Sequence, residues 1–236
     1  MEARRDWARS GAMRIMKIST LMFPWLLAAS LAISPRLAAN EKSSAVDPET
    51  ALAQLKQGNS RFVGNTSTHP DQSAARRAEV AQAQHPFAVI LTCADSRLSP
   101  EIIFDQGLGD LFVIRNAGNL LDDVVLGSIE YAVEHLHVSL VIVLGHSKCG
   151  AVSAAVAGGE APGHLKAIVT ALSPAVNMAQ KKPGDPVENT VRIAAKLSAA
   201  ALAGNEPILG EWVKAGKVKV VAARYELTTG LVEFLP

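Results

Sequence analysis

The chain has 236 residues, of which 49% are hydrophobic and 19% charged, with 23 Lys and Arg against 22 Asp and Glu. That composition excludes a disordered or collagen-like polypeptide, and the near-neutral balance argues against nucleic-acid binding through bulk charge. Two cysteines, Cys93 and Cys149, exclude a disulfide-rich scaffold and allow at most one bridge or one shared metal site.

Charge is uneven along the chain. Residues 1–39 carry Arg4, Arg5, Arg9, Arg14, Lys17 and Arg36 against Glu2 and Asp6, a surplus of +4, which leaves residues 40–236 at −3. From Ile18 to Pro35 no residue is charged, and the stretch runs into Leu37-Ala38-Ala39. A basic start, a short apolar segment and a small-residue exit predict a secretory signal peptide over 1–39, cleaved near Ala39, and a periplasmic or secreted mature chain. Met13 offers an alternative start, and Arg4-Arg5 is only a weak hint of a twin-arginine signal, since it sits far from the apolar core. Pro24 and the brevity of the apolar part argue against an uncleaved anchor, so no stable membrane span is expected after cleavage. Residues 40–236 suffice for one well-buried domain.

Pro48 to Asn59 places Leu52 and Leu55 at helical spacing and predicts a helix ending near Gly58. A second helix is predicted from Asp71 to Gln84, stopped by His85-Pro86. Phe87 to Thr92 is a continuous apolar run of strand length, as a buried parallel strand requires. Leu111 to Ile114, Leu140 to Leu144 and Lys217 to Ala222 repeat that pattern, and Leu231 to Phe234 follows a turn at Thr228-Thr229-Gly230. Helices are predicted over Pro100–Phe104, Asp123–His135, Ala151–Ala157 and Val187–Ala203, with loops over Gly158–Gly163 and Lys181–Pro186. The alternation predicts an α/β fold, a single domain with a mainly parallel sheet flanked by helices.

Cys93 directly follows one buried strand, in Cys93-Ala94-Asp95-Ser96-Arg97, and His146-Ser147-Lys148-Cys149-Gly150 ends another and opens a helix. Sites gather at the carboxyl ends of strands in open parallel sheets. Two thiolates and an imidazole suit zinc and leave a fourth tetrahedral position for water. Cys93 and Asp95 leave an extended segment on the same face, and a helix N-terminus favours the thiolate of Cys149. Asp95 is placed to orient the water, and Arg97 to keep Asp95 ionised. Asp95 is also a possible fourth ligand in a closed form, favoured when hydroxide is scarce. The plainer readings are a disulfide between the two cysteines, or buried thiols without function. Neither accounts for Asp95, Arg97 and His146 clustering with them. A thiol redox pair calls for close spacing, and these cysteines are 56 residues apart.

The two motifs resemble those of the β-class carbonic anhydrases. The likeness runs on through residues 101–107, 111–119, 127–133 and 225–234. The resemblance implies reversible hydration of carbon dioxide to bicarbonate and a proton through zinc-bound hydroxide. Cys93, His146 and Cys149 would be the metal ligands, with one zinc per chain and Asp95 with Arg97 as the catalytic dyad. Gln84, Phe112 and Tyr131 match positions lining the substrate pocket in the plant-type branch, partly across a dimer interface. The other branch has a tryptophan three residues before its first zinc cysteine; Ile90 stands there in this chain, which implies an open site without bicarbonate allostery. The family is built of dimers, so a homodimer or dimer-based tetramer is expected, its helix from Pro48 embracing the partner. His69 or His85 could shuttle protons, although a plain surface role suits each better. Two rivals remain: a carbon disulfide or carbonyl sulfide hydrolase on the same site, and a non-catalytic zinc-binding module, which would lack Asp95 or Arg97.

Overall fold

The computed structural model describes residues 46–236, so the expected leader over 1–39 lies outside the described residues. Five strands form one sheet: β1 Ala88–Cys93, β2 Leu111–Asn116, β3 Leu140–His146, β4 Lys219–Tyr225 and β5 Val232–Phe234. Their order is β2-β1-β3-β4-β5, with every pairing parallel except the antiparallel β4–β5. This is the expected single α/β domain. All residues of β1 and β3 are buried, the burial that their unbroken apolar sequence demands when both sheet faces are covered.

Eight helices are found among the described residues: α1 Pro48–Val63, α2 Ala74–Val80, α3 Pro100–Ile103, α4 Asp123–Leu136, α5 Gly150–Ala157, α6 Leu165–Ala179, α7 Pro186–Ala203 and α8 Leu209–Lys214. One core layer joins Leu52 and Leu55 of α1 to Ile90, Ile142 and Leu144 of the sheet and to Leu172 of α6. The opposite layer joins Val89, Leu91, Val141 and Val143 to Ile129 of α4 and Leu202 of α7. The alternation of side chains along β1 and β3 divides the two layers.

Three details depart from the predicted elements. Helix α1 runs beyond Gly58 to Val63, because Gly58 is a packing residue: a Cβ there would stand 1.7 Å from the Phe104 carbonyl oxygen. The helix is opened by Asp47, whose carboxylate accepts from the Glu49 and Thr50 amides, and it stops at Gly64. Helix α2 is shorter than predicted, starting after its Ser73 cap. Helices α6 and α8 fall where none was predicted. Pro174 sits inside α6, and neither helix has a side-chain N-cap, so the usual start and stop signals are missing.

The topology decides where a ligand can sit. From β1 the chain crosses to β2 on one side, then returns to β3 on the other side of β1 and continues outward to β4. The direction of winding therefore reverses between β1 and β3, and a crevice opens at their carboxyl ends. Cys93 is the last residue of β1 and His146 the last of β3.

Candidate metal centre

Strand β1 ends by delivering Cys93, and the backbone bond from Ala94 N–H to the Asn116 carbonyl carries the ladder one residue further. The chain then turns, closed by Leu98 N–H donating to the Asp95 carbonyl. On the neighbouring strand, His146 is followed by Lys148 at φ 53°, a left-handed conformation that non-glycine residues seldom adopt. This reversal lets Cys149, the N-cap of α5, return to the point that His146 faces. One donor atom each from Cys93, His146 and Cys149 lies within 4.8 Å of the others, and all three residues are buried.

The donor set fits a metal ion. The His146 ring places Nδ1 2.9 Å from the Ser147 carbonyl oxygen, which assigns the proton to Nδ1. Nε2 is left buried with no hydrogen-bond partner, a costly arrangement unless its lone pair is used. Two thiols and that lone pair are the chemistry of a zinc site, and an ion about 2.3 Å from each sulfur and about 2.1 Å from the ring nitrogen bridges such a gap with little movement. The cysteines are unbridged. Without metal, the two thiols titrate as one pair. The first proton is lost below the ordinary thiol value because the remaining S–H donates to the thiolate, with the Gly118 amide helping; the second is held up by that thiolate and by burial.

Asp95 stands beside this cluster. Its carboxylate is gripped at two points by Arg97, Nε to Oδ1 at 2.8 Å and Nη2 to Oδ2 at 2.6 Å, and Oδ1 also accepts from the Arg97 backbone amide. Chiefly through those guanidinium bonds, Asp95 is held well below the usual carboxylate range. Its Oδ2 lies 4.0 Å from His146 Nε2, and its side chain is 16% exposed. Arg97 Nη2 also reaches the Lys148 carbonyl at 3.3 Å, tying the two motifs together.

Other residues of the centre carry no signal in spacing alone. Arg115, near the end of β2, donates from Nε to the Cys93 carbonyl at 3.2 Å and from Nη2 to the Asp95 carbonyl at 2.7 Å. It thus spans the segment that carries both functional side chains. Behind His146, the Ser147 hydroxyl donates to Glu226 at 3.0 Å and accepts from the Leu227 amide at 3.0 Å. Arg224 in turn bonds Glu226 and brings its carboxyl down to about 2. The usable clue in the sequence is that Arg115 and Asn116 are polar residues placed directly after the apolar run Leu111–Ile114.

The expected pocket residues lie elsewhere in this chain. Phe112 and Tyr131 have ring centroids 6.3 Å apart, and Tyr131 is 45% exposed. Phe112 pairs with Val89, four residues before Cys93 and so about 13 Å from it along the strand. Gln84 is exposed in the segment before β1. His85 is exposed ahead of the amino end of β1, with the whole strand between it and the ligands, while the His69 amide donates to Asp105.

Comparison with known proteins agrees with this geometry. Residues 88–232 match the carbonic anhydrase family model. Carbonic anhydrase 2 of Mycobacterium tuberculosis is 43% identical over 188 residues, covering 78% of this chain and 91% of the relative. A carbonic anhydrase of Mycolicibacterium smegmatis is 42% identical over 191 residues, covering 79% and 93%. Among solved structures, a tetrameric β-carbonic anhydrase of the ascomycete Sordaria macrospora superimposes with a TM-score of 0.62 at 26% identity, over 76% of this chain and 93% of that one. With the strands, the donor cluster and the matched span all coinciding, the chain belongs to the β-class carbonic anhydrase family.

Proposed function

We propose that this protein is a zinc-dependent carbonic anhydrase, a lyase that reversibly hydrates carbon dioxide to bicarbonate and a proton. The observation that carries the proposal is the buried convergence of Cys93, His146 and Cys149 beside an Asp95 already paired with Arg97. When bound, zinc supplies a Lewis acid that makes water nucleophilic at neutral pH. Cys93 and Cys149 as thiolates, and His146 through Nε2, are the residues to hold it. Asp95, ionised and fixed by Arg97, accepts a hydrogen bond from the attacking water and so aims its lone pair at the carbon of the substrate. Arg97 keeps that carboxylate ionised, so that it remains a hydrogen-bond acceptor for the water. The buried walls about Cys93 and Cys149 suit an apolar substrate.

The test is stopped-flow carbon dioxide hydration on purified protein with its zinc content measured. One zinc per chain and hydration well above the buffer rate is the expected result; one zinc per chain with no hydration above buffer overturns the proposal. A non-catalytic zinc module predicts the second outcome.

Three finer points belong to the same proposal. A plant-type open site is supported by Ile90 and by the Arg97 grip on Asp95. A homodimer or dimer-based tetramer, in which Gln84, Phe112 and Tyr131 complete the pocket of a second copy, is supported by the exposure of Gln84 and Tyr131, by the half-buried Phe112 on the edge strand β2, and by the tetrameric Sordaria relative. Sedimentation at micromolar concentration tests it, and a monomer counts against it. Export to a periplasm-like compartment is supported by the leader sequence alone; a mature chain that still begins at Met1 or Met13 refutes cleavage.

A further inference from the structure

The turn that follows β2 is built with unusual economy. The Asn116 side chain closes it from both sides: Oδ1 accepts from the Leu120 amide at 2.7 Å, and Nδ2 donates to the Leu120 carbonyl at 2.9 Å. The Asn116 carbonyl is engaged as well, accepting from Ala94 N–H and from Asn119 N–H. Inside the closed turn, Gly118 takes φ 83°, a conformation open to glycine and costly for other residues. Its amide then points at the Cys93 sulfur, with N and Sγ 3.4 Å apart in a buried setting.

We infer that Asn116 and Gly118 are positioning residues for the metal centre: by closing this turn they hold one N–H on the Cys93 thiolate, fixing Sγ and setting how strongly it donates to the metal. The inference rests on the zinc reading above. An N–H bonded to a metal-bound thiolate draws electron density from sulfur, so the sulfur donates less and the ion stays a stronger Lewis acid. It also orders Sγ before the metal arrives, which favours binding. Besides the other members of the cluster, the Asp95 backbone amide also acts on that sulfur, more weakly than Gly118 does. Arg115, the residue before Asn116, acts on the Cys93 carbonyl, so the end of β2 addresses both the main chain and the side chain of this ligand.

The experiment replaces zinc by cobalt and reads the sulfur-to-cobalt charge-transfer band in the wild type, Asn116→Ala and Gly118→Ala. Asn116→Ala opens the turn and Gly118→Ala strains it, so both are expected to move the band to lower energy and to weaken zinc binding about tenfold in chelator competition. A merely structural role weakens binding without moving the band. Should Asn116→Ala fail to fold, cadmium-113 substitution of the wild type keeps the test open: a scalar coupling between cadmium and the Gly118 amide proton is expected across the hydrogen bond. Metal-loaded variants with an unchanged band, or a wild type with no such coupling, overturn the inference and leave the zinc reading standing. A wild type that takes up neither zinc nor cobalt takes both down.

Discussion

Asp95 and Arg97 face each other across a single intervening residue in a two-point ion pair, while Asp95 Oδ2 stands 4.0 Å from the metal-facing nitrogen of His146. The carboxylate is thus next to the cluster and committed to the guanidinium. Replacing Asp95 by Asn keeps the shape but removes the charge that accepts the hydrogen bond of the attacking water. Asp95→Asn is expected to retain one zinc per chain and to lose about 10²- to 10⁴-fold in kcat/KM. Stopped-flow hydration with parallel metal analysis checks this, and full activity in the variant shows the dyad argument wrong.

Removal of the metal exposes a second liability. Cys93 and Cys149 are free, buried and within reach of one ion, and without it the first thiol proton leaves easily. Zinc-free protein treated with a mild oxidant is expected to form the intramolecular Cys93–Cys149 bond, whereas zinc-loaded protein resists. Intact-mass measurement reads the loss of two hydrogens, and equal resistance with and without zinc is the contrary result.

Asp105 gives a prediction about pH. Its carboxylate side chain is 1% exposed and accepts from Arg61 Nε, from the Thr68 amide and hydroxyl and from the His69 amide. Burial opposes its charge, but the Thr68 amide, Arg61 and His69 outweigh that and hold its pKa below the ordinary 3.8. A carboxyl depressed in the folded state adds stability that is complete above its unfolded value and drains away as pH falls beneath it. Asp105→Asn is expected to cost about 2–3 kcal/mol at pH 7 in urea unfolding, with the gap to wild type narrowing below pH 3.8. A pH-independent gap contradicts the assignment.

Ser147 links the His146 segment to the C-terminal strands through Glu226 and the Leu227 amide. Ser147→Ala leaves both without that partner and loosens the carbonyl that receives the His146 Nδ1 proton. The expected cost is about 1–2 kcal/mol in stability and about tenfold in zinc affinity, read by chemical unfolding and by chelator competition. Wild-type zinc affinity in this variant removes Ser147 from the centre.

Much of this architecture can be read from residue order, for identifiable reasons. The strands β1 and β3 announce themselves because a strand buried on both faces has no polar face to show. The five residues of the two motifs are legible because metal chemistry restricts both type and spacing. Helix α6 is hidden by Pro174 and α8 by the absence of a cap, and the true length of α1 depends on a glycine whose role is set by Phe104, 46 positions further on. Arg115 and Asn116 are hidden for a different cause. They bond to main-chain groups, and no spacing rule specifies which carbonyl a guanidinium on another strand meets. The Phe112–Tyr131 pair shows the converse: the residues are recognisable, but one chain alone sets them far from its own ligands.

The central position of β1, between β2 and β3, has a consequence for the order of assembly. Cys93 meets His146 and Cys149 only after the intervening chain, with β2 and α4, has been laid down and β3 has docked on the far side of β1. No fragment ending before β3 holds more than one ligand, so the complete donor set needs β1 and β3 together. The binding energy of zinc then falls on the pairing of β1 with β3, whose partners Val89 and Val141 stand 52 residues apart in the chain.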